Sequence, residues 1–134
     1  MIKEFKVKTN KKNELRDISK EIISAVEESG VDSGCCAVYC PHTTAGITIN
    51  EGADPAVKED VINYLNKLIP ESREYKHSEG NSDAHIKSSV VGASEIIIIK
   101  DKKLVLGTWQ KIFFAEFDGP RERKIIIKVI KNEM

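Results

Sequence analysis

The chain has 134 residues, with 21 lysines and arginines against 21 aspartates and glutamates, and three histidines. This length is that of one domain, and a net charge of zero gives no overall attraction for nucleic acid or for an anionic membrane. A composition of 31% charged and 40% apolar residues is too balanced for a disordered chain, and no apolar run approaches the ~20 residues that span a bilayer.

Three cysteines lie together in one segment, at positions 35, 36 and 40. An odd number in one place is a poor framework for disulfide bonds, and the N-terminus lacks the charged-then-apolar order of a signal peptide, so we expect a cytoplasmic protein. Segment 35–40 is predicted to be a buried strand with Cys36, Val38 and Cys40 on one face and Cys35 on the other. Because Cys40 precedes His42 by two residues, a metal-binding role stays open beside that of a small buried side chain.

The first half of the chain is predicted to contain three strands and two amphipathic helices. Residues 2–8 form an edge strand, Asn13 caps a helix that Gly30 ends, and strands follow at 34–40 and 44–50. Asp54-Pro55 begins the second helix, with Asp54 as its N-cap, and Pro70 stops it. The positions expected to be buried are Leu15, Ile18, Ile22, Ala25 and Val26 in the first helix and Val57, Val61, Leu65 and Leu68 in the second.

The second half is predicted to hold a short helix and then a run of strands. The helix extends from Asp83 to Val91, and Gly92 ends it. Strands follow at 95–100, 103–106, 109–117 and 123–131, with a turn at Asp101-Lys102 and a buried face formed by Ile125, Ile127 and Val129. Because helices and strands are not strictly interleaved, the predicted fold class is α+β. It is a single compact domain over residues 1–134, with a large mixed or mostly antiparallel sheet on which two longer helices and one short helix pack.

Chemically capable residues are concentrated in three predicted loop segments, at 41–54, 77–85 and 107–121. Loops seldom need histidine, tryptophan or aspartate for packing, so this concentration indicates a functional site. Three neutral imidazoles leave the fourth position of a catalytic zinc site open, and the three histidines lie in the first two segments. Their separation matches no compact zinc motif, so three unrelated histidines on turns stay an alternative. The candidate metal ligands are His42, His77 and His85.

Several carboxylates could assist a metal or act as a general base. They are Glu51, Asp54, Asp83 and Glu116. For Asp54 and Asp83, capping of a helix N-terminus is the competing interpretation. Asn81, in the Gly-Asn-Ser run before the short helix, could present a backbone N–H to a phosphate or carboxylate.

The third loop segment offers groups that could bind a substrate. Trp109 could stack on a flat ring, or it could pack in a core or an interface. Arg121 could clamp an anionic group, or it could pair with Asp118 or Glu116. The run of Arg121, Arg123 and Lys124, offset by Glu122, is predicted to be a solvated strand end.

Together these segments resemble the YjbQ-like family, which is sometimes labelled secondary thiamine-phosphate synthase. The resemblance rests on His-Thr-Thr-Ala-Gly at 42–46 with Asn50-Glu51, His-Ser-Glu-Gly-Asn-Ser-Asp-Ala-His at 77–85, Gly-Thr-Trp-Gln at 107–110 and Glu-Phe-Asp-Gly-Pro-Arg at 116–121. The motifs occur in the family's order, and the resemblance extends from about residue 3 to 131.

The resemblance implies a homotrimer of compact α+β domains with a divalent metal, preferably zinc, on His42, His77 and His85. It implies a small-molecule enzyme acting on an anionic or phosphorylated substrate, with a weak thiamine-phosphate synthase activity on phosphorylated heterocycles. Catalytic roles then fall to Glu51, Asp83 and Arg121, and substrate contacts to Asn81, Trp109, Gln110 and Asp118. Two alternatives stay open: a ligand-binding or sensing module with the same pocket and no turnover, and a structural trimer.

Overall fold

The computed structural model describes residues 1–133. Three helices and eight strands are formed in this part of the chain, and no helix in it is long and apolar enough to cross a membrane. In chain order the elements are β1 (Ile2–Lys8), β2 (Glu14–Asp17), α1 (Ser19–Ser29), β3 (Gly34–Tyr39), β4 (Ala45–Glu51), α2 (Pro55–Leu68), α3 (Ser82–Val91), β5 (Ser94–Lys100), β6 (Lys103–Leu104), β7 (Gln110–Glu116) and β8 (Glu122–Lys131).

The strands divide into two antiparallel sheets, which confirms the predicted α+β class. One sheet has five strands in the order β1-β8-β3-β5-β6, and the other has three in the order β2-β7-β4. The predicted turn between β5 and β6 is present, with positive φ angles of 52° at Asp101 and 67° at Lys102. Two successive left-handed residues match the right-handed twist of a hairpin, so β6 returns directly beside β5.

Two apolar layers hold the sheets and helices together, and β7 contributes to both. Ile112 and Phe114 of β7 face the main core, which lies between the two sheets and against α1. The alternate residues Phe113 and Ala115 belong to a second cluster, which is packed against α2 and α3. Alternation along one strand therefore fixes the order of the layers: five-stranded sheet, three-stranded sheet, then the helices α2 and α3.

The outer face of the five-stranded sheet is apolar and exposed. The register pairs Cys35 with both Ile98 and Ile130, and it pairs Ala37 with Ile96, so these side chains share one face. The alternate residues on the same strands point into the core, as predicted for β8 and for the cysteine segment. The large exposed apolar residues of this face are Ile2, Tyr39, Ile96, Ile98 and Ile130.

The first predicted helix begins later than its apolar spacing indicated. Residues 14–17 form β2, which pairs with β7, and the helix begins at Ser19 rather than after Asn13. Leu15 is buried in either arrangement, so its hydrophobicity could not distinguish a helix from a strand. Pairing with β7 supplies the backbone hydrogen bonds that make residues 14–17 a strand. At the other end of α1, Gly30 ends the helix in the left-handed conformation, as predicted.

The second and third helices lie where predicted but differ in detail. Asp54 caps α2 by accepting from the backbone N–H of Ala56, as expected. None of the residues of α2 is fully buried, and Leu68 is 77% exposed, because this helix covers only part of the three-stranded sheet. In α3 the N-cap is Asn81, so the prediction that Asp83 caps this helix is wrong. Asp83 is instead a buried first-turn residue.

Candidate functional site

A buried carboxylate lies at the centre of the polar cluster at the start of α3. Asp83 has no exposed surface, and its Oδ2 lies 3.0 Å from Lys12 Nζ and 3.5 Å from Lys87 Nζ. Lys12 also contacts Glu71, in the segment that follows α2. Lys87 is only 2% exposed and donates to Asn66 Oδ1 at 2.6 Å and to Asn13 Oδ1 at 3.2 Å. The cluster therefore ties α3 to α2 and to the segment before β2.

The pKa values of the Lys12 and Lys87 ammonium groups shift in opposite directions. Burial lowers the pKa of Lys87, and the nearby Asp83 carboxylate only partly opposes this. For Lys12 burial also acts to lower the pKa, but its hydrogen bonds to Glu71 and Asp83 outweigh that effect and raise it above the ordinary value. Burying a lysine is costly for a fold unless the ammonium group is paired, and here Lys87 is paired with the Asp83 carboxylate.

A second set of polar side chains adjoins the cluster through Asn81. Its side-chain amide donates to Asp118 Oδ2 at 2.9 Å, and Arg121 Nη2 donates to the same oxygen at 2.7 Å. Arg121 Nε donates to the backbone oxygen of Asp118. Of the two pairings predicted for Arg121, the structure selects Asp118. The guanidinium stays half-exposed, so its remaining N–H groups can meet an anionic group.

The turn that carries Asp118 and Arg121 is fixed by a buried ion pair at its base. Both carboxylate oxygens of Glu116 accept from the Arg123 guanidinium, and Glu116 also accepts from the Thr9 hydroxyl and from the backbone N–H of Asp118. Burial alone would raise the pKa of Glu116, but these hydrogen bonds, first that from Arg123, hold it below its ordinary value. The prediction that the basic run is a solvated strand end is therefore wrong for Arg123, which is buried.

Two of the three histidines are neighbours. The rings of His77 and His85 meet edge to face with their centroids 5.3 Å apart, and His77 Nε2 lies 3.7 Å from Glu79 Oε2. His77 lines an open cleft of about 560 Å³, whose walls come from the segment between α2 and α3. The two rings are therefore neighbours near the start of α3, and His77 also faces the cleft.

The third histidine lies in different surroundings. His42 Nε2 is 3.1 Å from the backbone nitrogen and 3.2 Å from the backbone oxygen of Lys124, and the ring contacts Phe114. Burial, and then the positive charge of Arg123, lower the pKa of His42, which favours the neutral ring. Within residues 1–133 no group of three or more His, Cys, Asp or Glu side chains could hold a metal ion. The three-histidine site thus stays a prediction that one chain does not complete.

Two candidate residues of the third loop segment, and Glu51 of the first, lie at another end of the molecule. In the β4–β7 ladder Ala45 pairs with Glu116 and Glu51 pairs with Gln110, six residues further along. At about 3.3 Å per residue these ends are roughly 20 Å apart. Trp109, 62% exposed, precedes β7, and its backbone oxygen accepts from Gly52. Glu51, Trp109 and Gln110 therefore do not join the α3 cluster of the same chain.

The cluster members that the sequence analysis did not identify include Lys12, Asn66, Glu71 and Lys87. Lys87 follows Asp83 by four residues, and this helical spacing could have revealed the pair. Lys12 and Asn66 belong to other elements, and no local pattern indicates that they converge. Cys40 is buried with its pKa raised to about 11, mainly by burial, which favours its interpretation as a small buried side chain.

Comparison with known proteins identifies the same family that the sequence motifs indicated. The family model described as UPF0047 protein YjbQ-like matches residues 3–132. A UPF0047 protein of Methanocaldococcus jannaschii is 62% identical over 99% of this chain and 96% of its own length, and the UPF0047 protein YugU of Bacillus subtilis is 50% identical over 97% and 99%.

Solved structures agree as well. A YjbQ/UPF0047 family protein of Clostridium acetobutylicum superposes with a TM-score of 0.94 at 54% identity, covering 96% of this chain and 99% of that one. A YbjQ-like protein of unknown function from Sulfolobus solfataricus superposes with a TM-score of 0.95 at 34% identity, covering 98% and 97%. The chain therefore belongs to the YjbQ-like UPF0047 family, a family of uncharacterised function.

Proposed function

We propose that this chain is the subunit of a homotrimeric enzyme that acts on a small anionic molecule at the start of α3. The observation that carries the proposal is the approach of His77 to His85, which follows the buried, doubly ion-paired Asp83 by two residues. Imidazole nitrogens are the ligands that zinc and similar transition metals prefer, whereas magnesium prefers oxygen. When bound, zinc would polarise an oxygen of the substrate or acidify a water molecule.

The metal site would be completed by a neighbouring copy. His77 and His85 supply two imidazoles in one chain, and a catalytic zinc site needs three protein ligands. His42 of a neighbouring copy has the right chemistry, because the lowered pKa of this residue keeps the ring neutral. Its Nε2 is engaged with the backbone of Lys124, which leaves Nδ1 as the free nitrogen.

The exposed apolar face of the five-stranded sheet supports assembly. β5 carries four consecutive isoleucines, and two of them are exposed on this face. The neighbouring strand β6 pairs only with the last two residues of β5. An open, strongly β-forming edge is a site of aggregation unless another element covers it. If further copies of the same chain cover this apolar face, it is no longer open to aggregation. In such an assembly, Glu51, Trp109 and Gln110 would lie near the site of another subunit.

The remaining side chains divide into two roles under this proposal. Arg121, held by Asp118, presents its free N–H groups to the anionic or phosphoryl group of the substrate. Asp83 has a positioning role, because its Oδ2 is already engaged by the ammonium groups of Lys12 and Lys87. Glu51 would act as the general base and Trp109 would stack on a substrate ring, both from a neighbouring copy.

Elemental analysis of the purified protein tests the metal and the assembly together. We expect His77→Ala and His85→Ala to lose most of the bound zinc, and His42→Ala to lose it as well. We also expect a double change, Ile96→Glu with Ile98→Glu, to give a monomer by light scattering and to lose zinc with all histidines intact. Ile23→Glu changes an exposed apolar residue on α1 and is the matched control; it should leave the oligomeric state and the zinc content unchanged. Zinc retained in His77→Ala and His85→Ala would refute the metal assignment.

A ligand-binding module without turnover is the second candidate, favoured by one observation. Both buried carboxylates near the site, Asp83 and Glu116, are already ion-paired, which leaves them poor general bases. Incubation with phosphorylated heterocycles, including those of thiamine-phosphate synthesis, distinguishes the candidates. Product formation that is lost in Arg121→Met supports the enzyme, with thiamine phosphate as a weak side product. A ligand recovered unchanged supports the module.

A further inference from the structure

Two buried oxygen atoms at the start of α3 have no hydrogen-bond partner. They are Oδ1 of Asn81 and Oδ1 of Asp83, two residues apart. Within residues 1–133 the only other buried side-chain oxygen in this condition belongs to Glu21, on α1. Buried acceptors are almost always paired, so two orphaned acceptors in one turn point to a group that is supplied from outside the chain.

The other polar atoms of these two side chains are already engaged. Oδ2 of Asp83 faces the ammonium groups of Lys12 and Lys87, and Nδ2 of Asn81 donates to Asp118. The Asn81 amide is therefore held with its oxygen free, and the carboxylate of Asp83 is held with one oxygen free. The pair therefore offers a ligand two acceptors, beside the second N–H of the Asn81 amide, whose first N–H is engaged with Asp118.

The surrounding charges determine which kind of donor the pair accepts. Lys12 and Lys87 both lie within 3.5 Å of the Asp83 carboxylate, and the negative charge of Asp118 is matched by Arg121. A third cation at this carboxylate would be repelled by two ammonium groups, whereas a neutral N–H or O–H group would not. The open cleft lined by His77 and Gly80 belongs to the segment that directly precedes Asn81, so a small molecule bound there would lie next to the start of α3.

We propose that Asn81 and Asp83 form a recognition pair for a neutral hydrogen-bond donor, a carboxamide-type N–H₂ or a hydroxyl group, on the small molecule that this site binds. The proposal rests on the proposed function only in placing a small-molecule site at the start of α3. Arg121 would receive the anionic part of the same molecule, and the pair would select its neutral donor part. Compounds without such a donor would leave both acceptors unpaired and would be rejected.

Matched probes test the pair on the ¹⁵N-labelled wild-type protein by NMR. Nicotinamide carries a neutral carboxamide, methyl nicotinate carries the same ring without the N–H₂ group, benzamidine carries N–H donors on a cation, and glycerol carries hydroxyl groups. We expect nicotinamide or glycerol to shift the backbone amide signals of Asn81 and Asp83 and the side-chain amide signal of Asn81. Nicotinamide should bind at least about tenfold more tightly than methyl nicotinate and benzamidine.

A variant pair adds a second measurement. Asn81→Ala removes one acceptor and should weaken the binding of the effective neutral donor about tenfold, while Asn63→Ala on the exposed side of α2 should not. The proposal is overturned if methyl nicotinate or benzamidine binds as well as nicotinamide. It is also overturned if no neutral donor shifts these signals, or if a crystal structure grown with nicotinamide and glycerol shows water alone on both oxygens. Zinc content is a separate readout, so failure of the proposed function is distinguishable from failure of this pair.

Discussion

The buried pair of Glu116 and Arg123 gives the sharpest test of how this fold positions its site. Arg123→Met keeps much of the side-chain volume but removes the positive charge from a carboxylate that has no exposed surface. Three neutral donors remain, the Thr9 hydroxyl and the backbone N–H groups of Phe117 and Asp118. Breaking a buried ion pair costs about 3–5 kcal/mol, and with these donors in place we expect the lower end, about 3 kcal/mol of unfolding free energy.

Urea unfolding followed by far-ultraviolet circular dichroism at one protein concentration measures the cost. Arg121→Met is the matched control, because the Arg121 side chain is 52% exposed and its pair with Asp118 should contribute at most about 1 kcal/mol. Adding Glu116→Gln to Arg123→Met removes the unpaired charge, so the double variant should recover at least about 1 kcal/mol. If Arg123→Met costs no more than Arg121→Met, the argument from burial is refuted.

The same pair has a defined pH dependence. Because the folded pKa of Glu116 lies below its ordinary value of 4.5, the pair stabilises the wild type above that pH, and the stabilisation is lost as the pH falls through the folded pKa. In Arg123→Met the buried carboxylate lacks its cation, so its pKa should rise instead. The difference in unfolding free energy between wild type and variant should therefore shrink below about pH 4.5. A difference that grows on acidification would contradict this assignment.

Three further predictions concern other parts of the fold. The pKa of His42, measured by NMR titration, should lie below the ordinary value of 6.5, and a raised midpoint would contradict this. Because the folded pKa is lowered, the contribution of His42 to stability should be present above pH 6.5 and be lost as the pH falls toward the folded pKa. Gly46→Ala should cost about 1–3 kcal/mol in urea unfolding, because a Cβ there would lie 2.5 Å from the backbone oxygen of Gly92, and an unchanged midpoint would show that the backbone yields. At pH 8 a thiol reagent should label Cys35 first in the native protein, since Cys36 and Cys40 are buried with their pKa values raised to about 11; equal labelling of all three would refute this order.

Much of the fold could be predicted because its signals are local. The Asp54-Pro55 start of α2, the glycine end of α1, the turn at Asp101-Lys102 and the alternation in β8 each depend on residues that are adjacent in sequence. The apolar spacing predicts a helix over segment 14–17, but a single buried leucine there fits the periodicity of a helix and of a strand equally well. Only its pairing with β7, about a hundred residues later, makes it a strand.

For the candidate site, the sequence by itself determined which segments hold the candidate residues and to which family the chain belongs. It placed His77, Asn81, Asp83 and His85 in one segment, and Asp118 and Arg121 in another, and local geometry keeps each set together. Only the tertiary structure decided which segments meet. It joined Asp83 to Lys12, turned Arg123 inward to Glu116, and separated Glu51 and Trp109 from the rest by the length of a strand. The physical reason is that a buried charge needs a partner, and the packing of separate elements supplies it. Lys12 reaches Asp83 from 71 residues away in sequence, and Glu116 and Arg123, although seven residues apart, lie on strands of different sheets, so no helical or strand periodicity indicates either pair.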